Sequence, residues 1–390
     1  MLLAWRTHDT EQKGFALRLM LVGTLARLML FPVAPYTSND FERYLWDGRV
    51  AIEGLDPYTV VPDDPLLADL RTVWATPPEH AAIPTLYPPA ALASFSLAAW
   101  AGPMGAIWVW KGLCTLASIL VLWLSARLLR SRNRSEHLAL VALSPLLVFE
   151  SGIGAHVDVF STLCVVVTLL AADSRQWSKA GVAIGLGALF KLLPVILLVP
   201  MLSWPRSISG TARAVGAAGL TLFAGYAAAF AIGLRPIGSS FYFFEHWRFG
   251  GVVFPLLDRL PLAALLGTLL ALLGIALLFS LKLARDDYPR AVQIALAAPL
   301  ALSPVLFPWY LSPLVPVLAL APSGLLLGWV SAVPLTYEVL DGFLSTGDWT
   351  PAGWPLGGIG LAVAAGSIWD RRGRSRHKER HEGPERTLQA

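Results

Sequence analysis

One short stretch of the sequence places ionisable side chains at helical spacing. It reads SNDFERYLWDGRVAIEG, and four of its polar residues recur at three- and four-residue steps that share one helix face: Asp40, Arg43, Tyr44 and Asp47. A carboxylate in the first turn of a helix is stabilised in its ionised form and can serve as a general base. The alternative is a surface helix with an ordinary Arg43–Asp47 ion pair, and the spacing leaves both interpretations open.

Other charged residues lie within or beside apolar runs. Lys191 lies in such a run, where it could hold a phosphate as a point charge or extend to the membrane surface as a structural residue. Glu150, His156 and Asp158 border a predicted external loop. An imidazole there can donate to a phosphate or a sugar hydroxyl, whereas a loop-capping pair is the alternative. His156 and Asp158 are weak evidence for a metal site, because no clear third ligand accompanies them.

Aromatic residues accompany these charges. Tyr87, followed by two prolines, and the pair Trp309 and Tyr310 could form walls for a sugar ring or an isoprenoid chain. With 15 Trp in the chain, a position in the interfacial aromatic belt is the alternative. Arg27 interrupts the first apolar run and could pair with an acid or play a structural part.

The elements that must position these residues are predicted to be membrane helices. Hydrophobic residues make up 55% of the 390 residues and charged residues only 14%, which indicates a polytopic membrane protein of the all-α class. A spanning helix needs roughly 20 apolar residues. We predict 12 spans, near 15–36, 106–129, 137–151, 157–173, 180–191, 192–204, 212–234, 262–284, 291–308, 311–322, 324–338 and 356–369.

The distribution of Lys and Arg predicts the orientation of these spans. The basic gaps between spans fall on one side if 84–101 is a re-entrant or interfacial helix rather than a span, so both termini are predicted to be cytoplasmic. The first span is then a retained anchor, and 37–105 is a large external loop with juxtamembrane helices. We predict one domain over 1–369 and a basic, disordered cytoplasmic tail over 370–390.

The polar segment also resembles a known family. The run SNDFERYLWDGRV, followed by GLDPY, PDDP and LYPP, is similar to the motifs of bacterial GT-C glycosyltransferases that are mannosyltransferase-like and depend on a polyprenyl-phosphate sugar. Later segments agree in order: SPLLVFESGIGAHVD, GVAIGLGALFKLLPVILLVP and SPVLFPWYLSPLVPVLAL. The resemblance therefore extends over most of the chain.

This resemblance implies a fold, a reaction and a location. It implies a GT-C-like bundle that transfers a sugar, with mannose expected, from a polyprenyl-phosphate donor to a hydroxyl of a glycolipid, glycan or other acceptor. The transfer inverts the anomeric carbon at the outer face of the cytoplasmic membrane, and Asp40 occupies the position of the general base. Asn39 stands where many relatives have a second acid. No cofactor is required by these patterns, a divalent cation is left open, and the partners are lipid-linked substrates and membrane lipids, with no nucleic acid.

Two other classes of function remain open at this point. A multi-pass transporter or lipid-linked saccharide flippase would also have 12 spans, broken helices and the intramembrane charges Arg27 and Lys191. A non-catalytic scaffold in envelope assembly is the other alternative. Against the transporter, the sequence shows no internal repeat, and its candidate charges collect at one membrane face.

Overall fold

The chain folds as an assembly of helices. The computed structural model describes residues 2–382, with side chains except at 2–13, 240–241, 341, 344 and 373–382. Within this range every regular element is helical, and isolated β-bridges join Phe249 and Gly250 to Val305. The predicted all-α class is therefore confirmed.

Contacts divide the chain into two compact units, Met1–Leu320 and Ala321–Ala390. The single domain predicted over 1–369 stays a prediction. In the first unit the α-helices are α1 Leu2–Leu30, α2 Asp40–Ile52, α3 Ala68–Arg71, α4 Pro89–Ala99, α5 Gly102–Ser131, α6 Ala139–Ala142, α7 Pro145–Gly152, α8 Asp158–Asp173, α9 Trp177–Phe190, α10 Leu198–Met201, α11 Ile208–Ala231, α12 Ser240–His246, α13 Phe254–Leu257, α14 Leu262–Leu283, α15 Tyr288–Leu302 and α16 Leu314–Leu320. Short 3-10 helices lie at Pro65–Leu67, Pro78–His80, Ser135–Leu138, Leu193–Leu197 and Pro308–Leu311.

Three described helices are long and apolar enough to cross a membrane: α5, α11 and α14. With the apolar composition, they mark the chain as a membrane protein. Several other predicted spans are broken into short helices, as where Pro145 and Pro194 start new turns. The first helix ends at Leu30 rather than near 36, because prolines at 32 and 35 disfavour helical backbone. The count of 12 spans stays a prediction.

The ambiguous segment 84–101 forms only the short helix α4. Its 11 residues extend about 16 Å at 1.5 Å per residue, roughly half of a bilayer core of about 30 Å. It packs closely on α2, because a Cβ on Gly48 would lie 2.3 Å from the backbone carbon of Phe95. Helix α4 is thus too short to cross the bilayer and instead supports the helix that carries Asp40.

An aromatic core fixes α2 against its neighbours. The ring of Tyr44 stacks on that of Phe95, with centroids 4.6 Å apart, and lies edge-on to Trp110 of α5. The indole N–H of Trp110 donates to the carbonyl of Ala155 at 2.8 Å. This hydrogen bond ties the segment that precedes His156 to the same core.

Two buried cations in the first unit serve the packing of helices. The Arg27 guanidinium donates to Ser118 Oγ at 2.8 Å and to backbone carbonyls of Gly23, Val141 and Ala142. The Lys111 ammonium donates to three backbone carbonyls, those of Leu30, Val33 and Gly152. These bonds satisfy carbonyls where helices end or break, which gives both cations a structural part.

The second unit contains α17 Gly324–Ala332, the 3-10 helix Val333–Glu338, α18 Val339–Thr346 and α19 Trp354–Glu382. The carboxylate of Asp370 accepts hydrogen bonds from the Gly324 amide at 2.8 and 2.9 Å, which caps the start of α17. The tail predicted to be disordered from 370 is helical as far as Glu382, since its Arg, Lys and Glu residues favour helix and extend an existing one. Residues 383–390 lie outside the described part.

Candidate active site

Asp40 stands at the start of α2, at the edge of a cavity. The Ser38 hydroxyl accepts a hydrogen bond from the Asp40 amide at 3.0 Å, so Ser38 holds the first turn, whereas the side chain of Asn39 makes no capping bond. The side-chain amide of Asn39 donates instead to the Glu79 carboxylate. The Asp40 side chain keeps 21% of its surface exposed, and it faces a cavity of about 400 Å³.

Residues from distant parts of the first unit line this cavity. Of the predicted site residues, those in the wall are Asp40, Arg43, Tyr87, Asp158, Lys191, Trp309 and Tyr310. Tyr44, Asp47 and His156 lie behind this wall and contact residues in it, and Glu150 contacts His156 from the other side of the ring. The structure thus brings all the predicted candidates to one place, although their roles stay predictions.

The immediate surroundings of Asp40 favour its ionised form. Its Oδ2 lies 3.6 Å from His156 Nδ1 and accepts a long hydrogen bond, 3.4 Å, from the Tyr44 hydroxyl. Burial alone raises the pKa of the Asp40 carboxyl, but interactions with His156, His80 and Lys191 outweigh burial and hold this pKa below its ordinary value. Asp40 is therefore a carboxylate at neutral pH and available as a proton acceptor.

His156 is enclosed behind Asp40. The residue is 1% exposed, its Nε2 lies 3.5 Å from Glu150 Oε2, and its ring stacks on Trp309 with centroids 3.7 Å apart. Local backbone makes room for the ring: Ala155 has a φ of 51°, and a Cβ on Gly154 would lie 2.4 Å from the imidazole Cδ2. The substrate contact expected for His156 stays a prediction; in this structure the ring lies behind Asp40, which lines the cavity.

Lys191 does not stand alone at the cavity wall. It follows α9 in extended conformation, and its ammonium donates to both oxygens of Asp158 at 2.7 and 2.8 Å. The same ammonium lies 3.8 Å from the centroid of the Tyr310 ring. A free point charge was predicted here, whereas the structure shows a cation that is shared with the carboxylate at the start of α8.

Arg43 and Asp47 form a buried pair rather than an exposed one. Arg43 Nε donates to Asp47 Oδ1 at 2.8 Å, with side chains 6% and 2% exposed, so the surface-helix alternative is excluded. The other guanidinium nitrogens donate to the carbonyls of His80 and Ile83. Burial raises the pKa of Asp47 even though Arg43 opposes it. The pair anchors the loop around 80–83 to α2.

Sequence patterns did not identify several residues of the wall. These are His80, Tyr242, Phe243, Trp247, Ser303 and Phe307. A single histidine in a Pro-rich loop has no helical spacing to mark it. The aromatic residues of 242–247 reach the wall because the hydroxyl of Ser239 donates to the carbonyl of Pro84 at 2.8 Å and holds α12 beside the cavity. His80 stacks on Trp247, and burial lowers the pKa of His80 despite the opposing charge of Asp40.

The described residues contain no group of three His, Cys, Asp or Glu side chains arranged to hold a metal ion. The question of a divalent cation therefore stays open. The chemistry that the wall itself provides is an ionised carboxylate, a paired ammonium, an imidazole and several aromatic surfaces.

Comparison with known proteins gives two matches. Residues 2–206 match the family model for the N-terminal domain of alpha-(1->6)-mannopyranosyltransferases. A stretch of 108 residues is 34% identical to an undecaprenyl phosphate-alpha-4-amino-4-deoxy-L-arabinose arabinosyl transferase from Erwinia tasmaniensis. That match covers 24% of this chain and 20% of the relative, so the chain spans about a fifth of the relative's length. The family match covers more than half of the chain and includes α2, the segment with His156, and Lys191. The chain therefore belongs to the alpha-(1->6)-mannopyranosyltransferase family of glycosyltransferases.

Proposed function

We propose that this protein is an inverting glycosyltransferase that moves a sugar, with mannose expected, from a polyprenyl-phosphate donor to an acceptor hydroxyl. The observation that carries the proposal is the position of Asp40, an ionised carboxylate that faces a cavity shared with the Lys191 ammonium. Family membership and the lipid-phosphate substrate in the relative's name support the same class of reaction.

In the proposed step the acceptor oxygen attacks the anomeric carbon while Asp40 takes the hydroxyl proton. The bond from the anomeric carbon to the phosphate oxygen breaks, and its electron pair leaves with the polyprenyl phosphate. Attack opposite the leaving group inverts the anomeric configuration. A base on one side and charge stabilisation on the other are the two contributions that such a displacement needs.

The part of the cavity wall around Lys191 suits the polyprenyl-phosphate donor. Lys191 precedes apolar residues of the wall, Leu192 and Leu193, and Pro299 and Leu300 of α15 also line the cavity. We propose that these residues contact the first isoprene units while Lys191 contacts the phosphate. Because Asp158 already neutralises much of the Lys191 charge, the pair would orient the phosphate and add little net attraction.

The aromatic part of the wall suits sugars. Tyr87, Trp309 and Tyr310 present rings to the cavity, and Tyr242 and Trp247 come from the segment around α12. A sugar ring packs its C–H face on an aromatic ring while its hydroxyls bond to neighbouring polar groups. We propose that these rings hold the transferred sugar and the acceptor sugar.

We further propose a GT-C-like bundle of about 12 membrane-crossing segments in the cytoplasmic membrane, with both termini cytoplasmic. The basic gaps between helices would lie in the cytoplasm, and the cavity beside 37–105 would face outward. This arrangement would give the cavity access to lipid-linked donors and to acceptors in the cell envelope.

One of the two intramembrane charges that favour the transporter alternative, Arg27, has a structural role. Arg27 is fully occupied by carbonyls and Ser118, and Lys111 likewise bonds three carbonyls, so neither marks a path for a substrate. The cavity beside Asp40 brings together several ionisable residues: Asp40, Arg43, His80, Asp158 and Lys191.

The proposal is tested with purified protein, a radiolabelled polyprenyl-phosphate mannose and a mannoside acceptor. Asp40→Asn should reduce kcat by about 10²–10⁴-fold, the usual contribution of a general base. Asp63→Asn, which changes an exposed acid of the same loop, should match the parent protein. Unchanged turnover in Asp40→Asn would refute the role of Asp40, and a product that retains the donor's anomeric configuration would refute inversion.

A further inference from the structure

His156 is buried between two carboxylates, and this arrangement is the basis of a further inference. Both ring nitrogens face carboxylates, with Nδ1 3.6 Å from Asp40 Oδ2 and Nε2 3.5 Å from Glu150 Oε2. Neither nitrogen is within hydrogen-bonding distance of any other described polar group. The ring is therefore held between two acids and isolated from the cavity by Trp309 and Asp40.

The geometry distinguishes between the two charge states of this ring. A neutral imidazole has one N–H and one lone pair, so it would direct a lone pair at one of the two carboxylates. An imidazolium has N–H groups on both nitrogens and can face both acids favourably. The stack on Trp309, at 3.7 Å between centroids, adds the attraction between a cation and the face of an indole.

We infer that His156 is a buried imidazolium that acts through Asp40, as the positioning residue that keeps this carboxylate ionised and aligned for the transfer reaction. The inference rests on the proposed function of Asp40. Glu150 complements this role, because it balances the charge of an imidazolium that would otherwise be isolated in the protein interior. In this arrangement His156 touches neither the donor nor the acceptor.

The proton from the acceptor has a defined place in this scheme. It ends on Asp40, where it removes the negative charge that faces the imidazolium. The carboxyl regains its charge by releasing the proton to water in the cavity after the products leave. His156 keeps both of its protons throughout, so no net proton transfer through the ring is required.

Other charged and titratable groups also act on the Asp40 carboxyl, and a test must separate their effect from that of His156. The titratable and charged groups that act on Asp40 or His156 are Tyr44, His80, Tyr87, Glu150, Asp158, Lys191 and Tyr310. The Lys191 ammonium remains when His156 is changed, so Asp40 is still expected to be ionised at neutral pH, and the effect of the change is expected on the acid side of the pH range.

The discriminating variant is His156→Asn, because its amide can still donate towards Asp40 but carries no charge. Activity requires the Asp40 carboxylate and is lost as the pH falls through the pKa of this group. Without the imidazolium, burial dominates and raises the pKa of Asp40, so the acid limb of kcat/KM against pH should move to higher pH. His137→Gln, a change at a distant histidine, should leave the acid limb in place.

A second measurement reads the ring directly and does not depend on turnover. In protein labelled with ¹⁵N-histidine, assigned by loss of the signal in His156→Asn, both ring nitrogens of His156 should show protonated shifts at pH 7. In Glu150→Gln, which removes one of the two facing charges, the ¹⁵N shifts at pH 7 should move towards those of a neutral ring. A neutral ring in the parent protein would overturn the inference, whatever the activity of any variant.

The two proposals fail in different ways. If Asp40→Asn is inactive but His156→Asn keeps the parent acid limb, the positioning role is wrong and the proposed function stands. If Asp40→Asn retains full turnover, the proposed role of Asp40 as the base is wrong, and the positioning role of His156 fails with it. If His156→Asn does not fold, as judged by thermal unfolding in detergent, the ¹⁵N shifts of the parent protein and of Glu150→Gln still decide the charge of the ring.

Discussion

Gly154→Ala is a small change that should disturb the site through packing alone. The added Cβ would lie 2.4 Å from Cδ2 and 2.6 Å from Nε2 of His156, and 3.1 Å from Glu150 Oε2. Ordinary carbon contacts are about 3.5–4.0 Å, so the ring must move by about 1 Å. The backbone of Gly154 does not have a positive φ, so strain in the glycine itself does not contribute.

The ring has little room for such a movement. Trp309 stacks on it at 3.7 Å, and the residue is only 1% exposed. Overpacking of this kind lowers the free energy of unfolding by about 1–3 kcal/mol. A displacement of about 1 Å near reacting groups can cost up to roughly 100-fold in rate. We therefore expect lower thermal stability and a kcat reduced by about 10–100-fold.

The assay compares Gly154→Ala with Gly219→Ala in the same detergent. Gly219 lies in α11 with nothing within 4 Å of an added Cβ, so its substitution should keep full activity and gain up to about 1 kcal/mol from helix propensity. Thermal unfolding and initial rates of sugar transfer are measured for both variants. Parent-like stability and turnover in Gly154→Ala would show that the ring of His156 is not tightly packed against Gly154.

Two further predictions concern other contacts. Asp158→Asn and Lys191→Met each leave half of a largely buried ion pair, so each should lower the free energy of unfolding by about 3 kcal/mol. The double variant should lose clearly less than the sum of the two single losses. Chemical unfolding measures all three variants, and strict additivity would contradict the coupling of the two residues. Gly366→Ala would place a Cβ 1.9 Å from the Gly324 carbonyl oxygen, which should loosen the contact between α17 and α19 and speed amide hydrogen exchange in α17. Unchanged exchange would contradict this close contact between the two helices.

The comparison of sequence with structure is clearest at α2. The spacing of its polar residues indicated a helix that carries Asp40 to Asp47 on one face, and the structure has the helix Asp40–Ile52. These bounds depend on local signals: Ser38 binds the first-turn amide, and Gly54 has a φ of 78° that ends the helix. The same local pattern predicted that Asp40 begins the helix, where a carboxylate is favoured.

Local sequence patterns were less informative where the helices are interrupted. The predicted span near 137–151 is divided into short helices, the last of which starts at Pro145, and the span near 311–322 contains only the short helix α16 after the end of a 3-10 helix. Hydropathy detects apolar composition in such stretches, but it does not reveal how the freed backbone groups are satisfied. The Lys111 ammonium satisfies three such carbonyls, and this role could not be recognised from its own helix.

By itself, the sequence determined the helical class, the apolar composition of a membrane protein, the helix with Asp40 and the set of candidate residues. Each of these depends on composition or on neighbours within about four positions along the chain. Only the tertiary structure decided that His156 lies behind Asp40 instead of in the cavity, that Asp158 neutralises Lys191, and that His80 joins the wall. Those contacts join residues that are far apart in the chain, and packing of α2, α8 and the loops between them brings the side chains together.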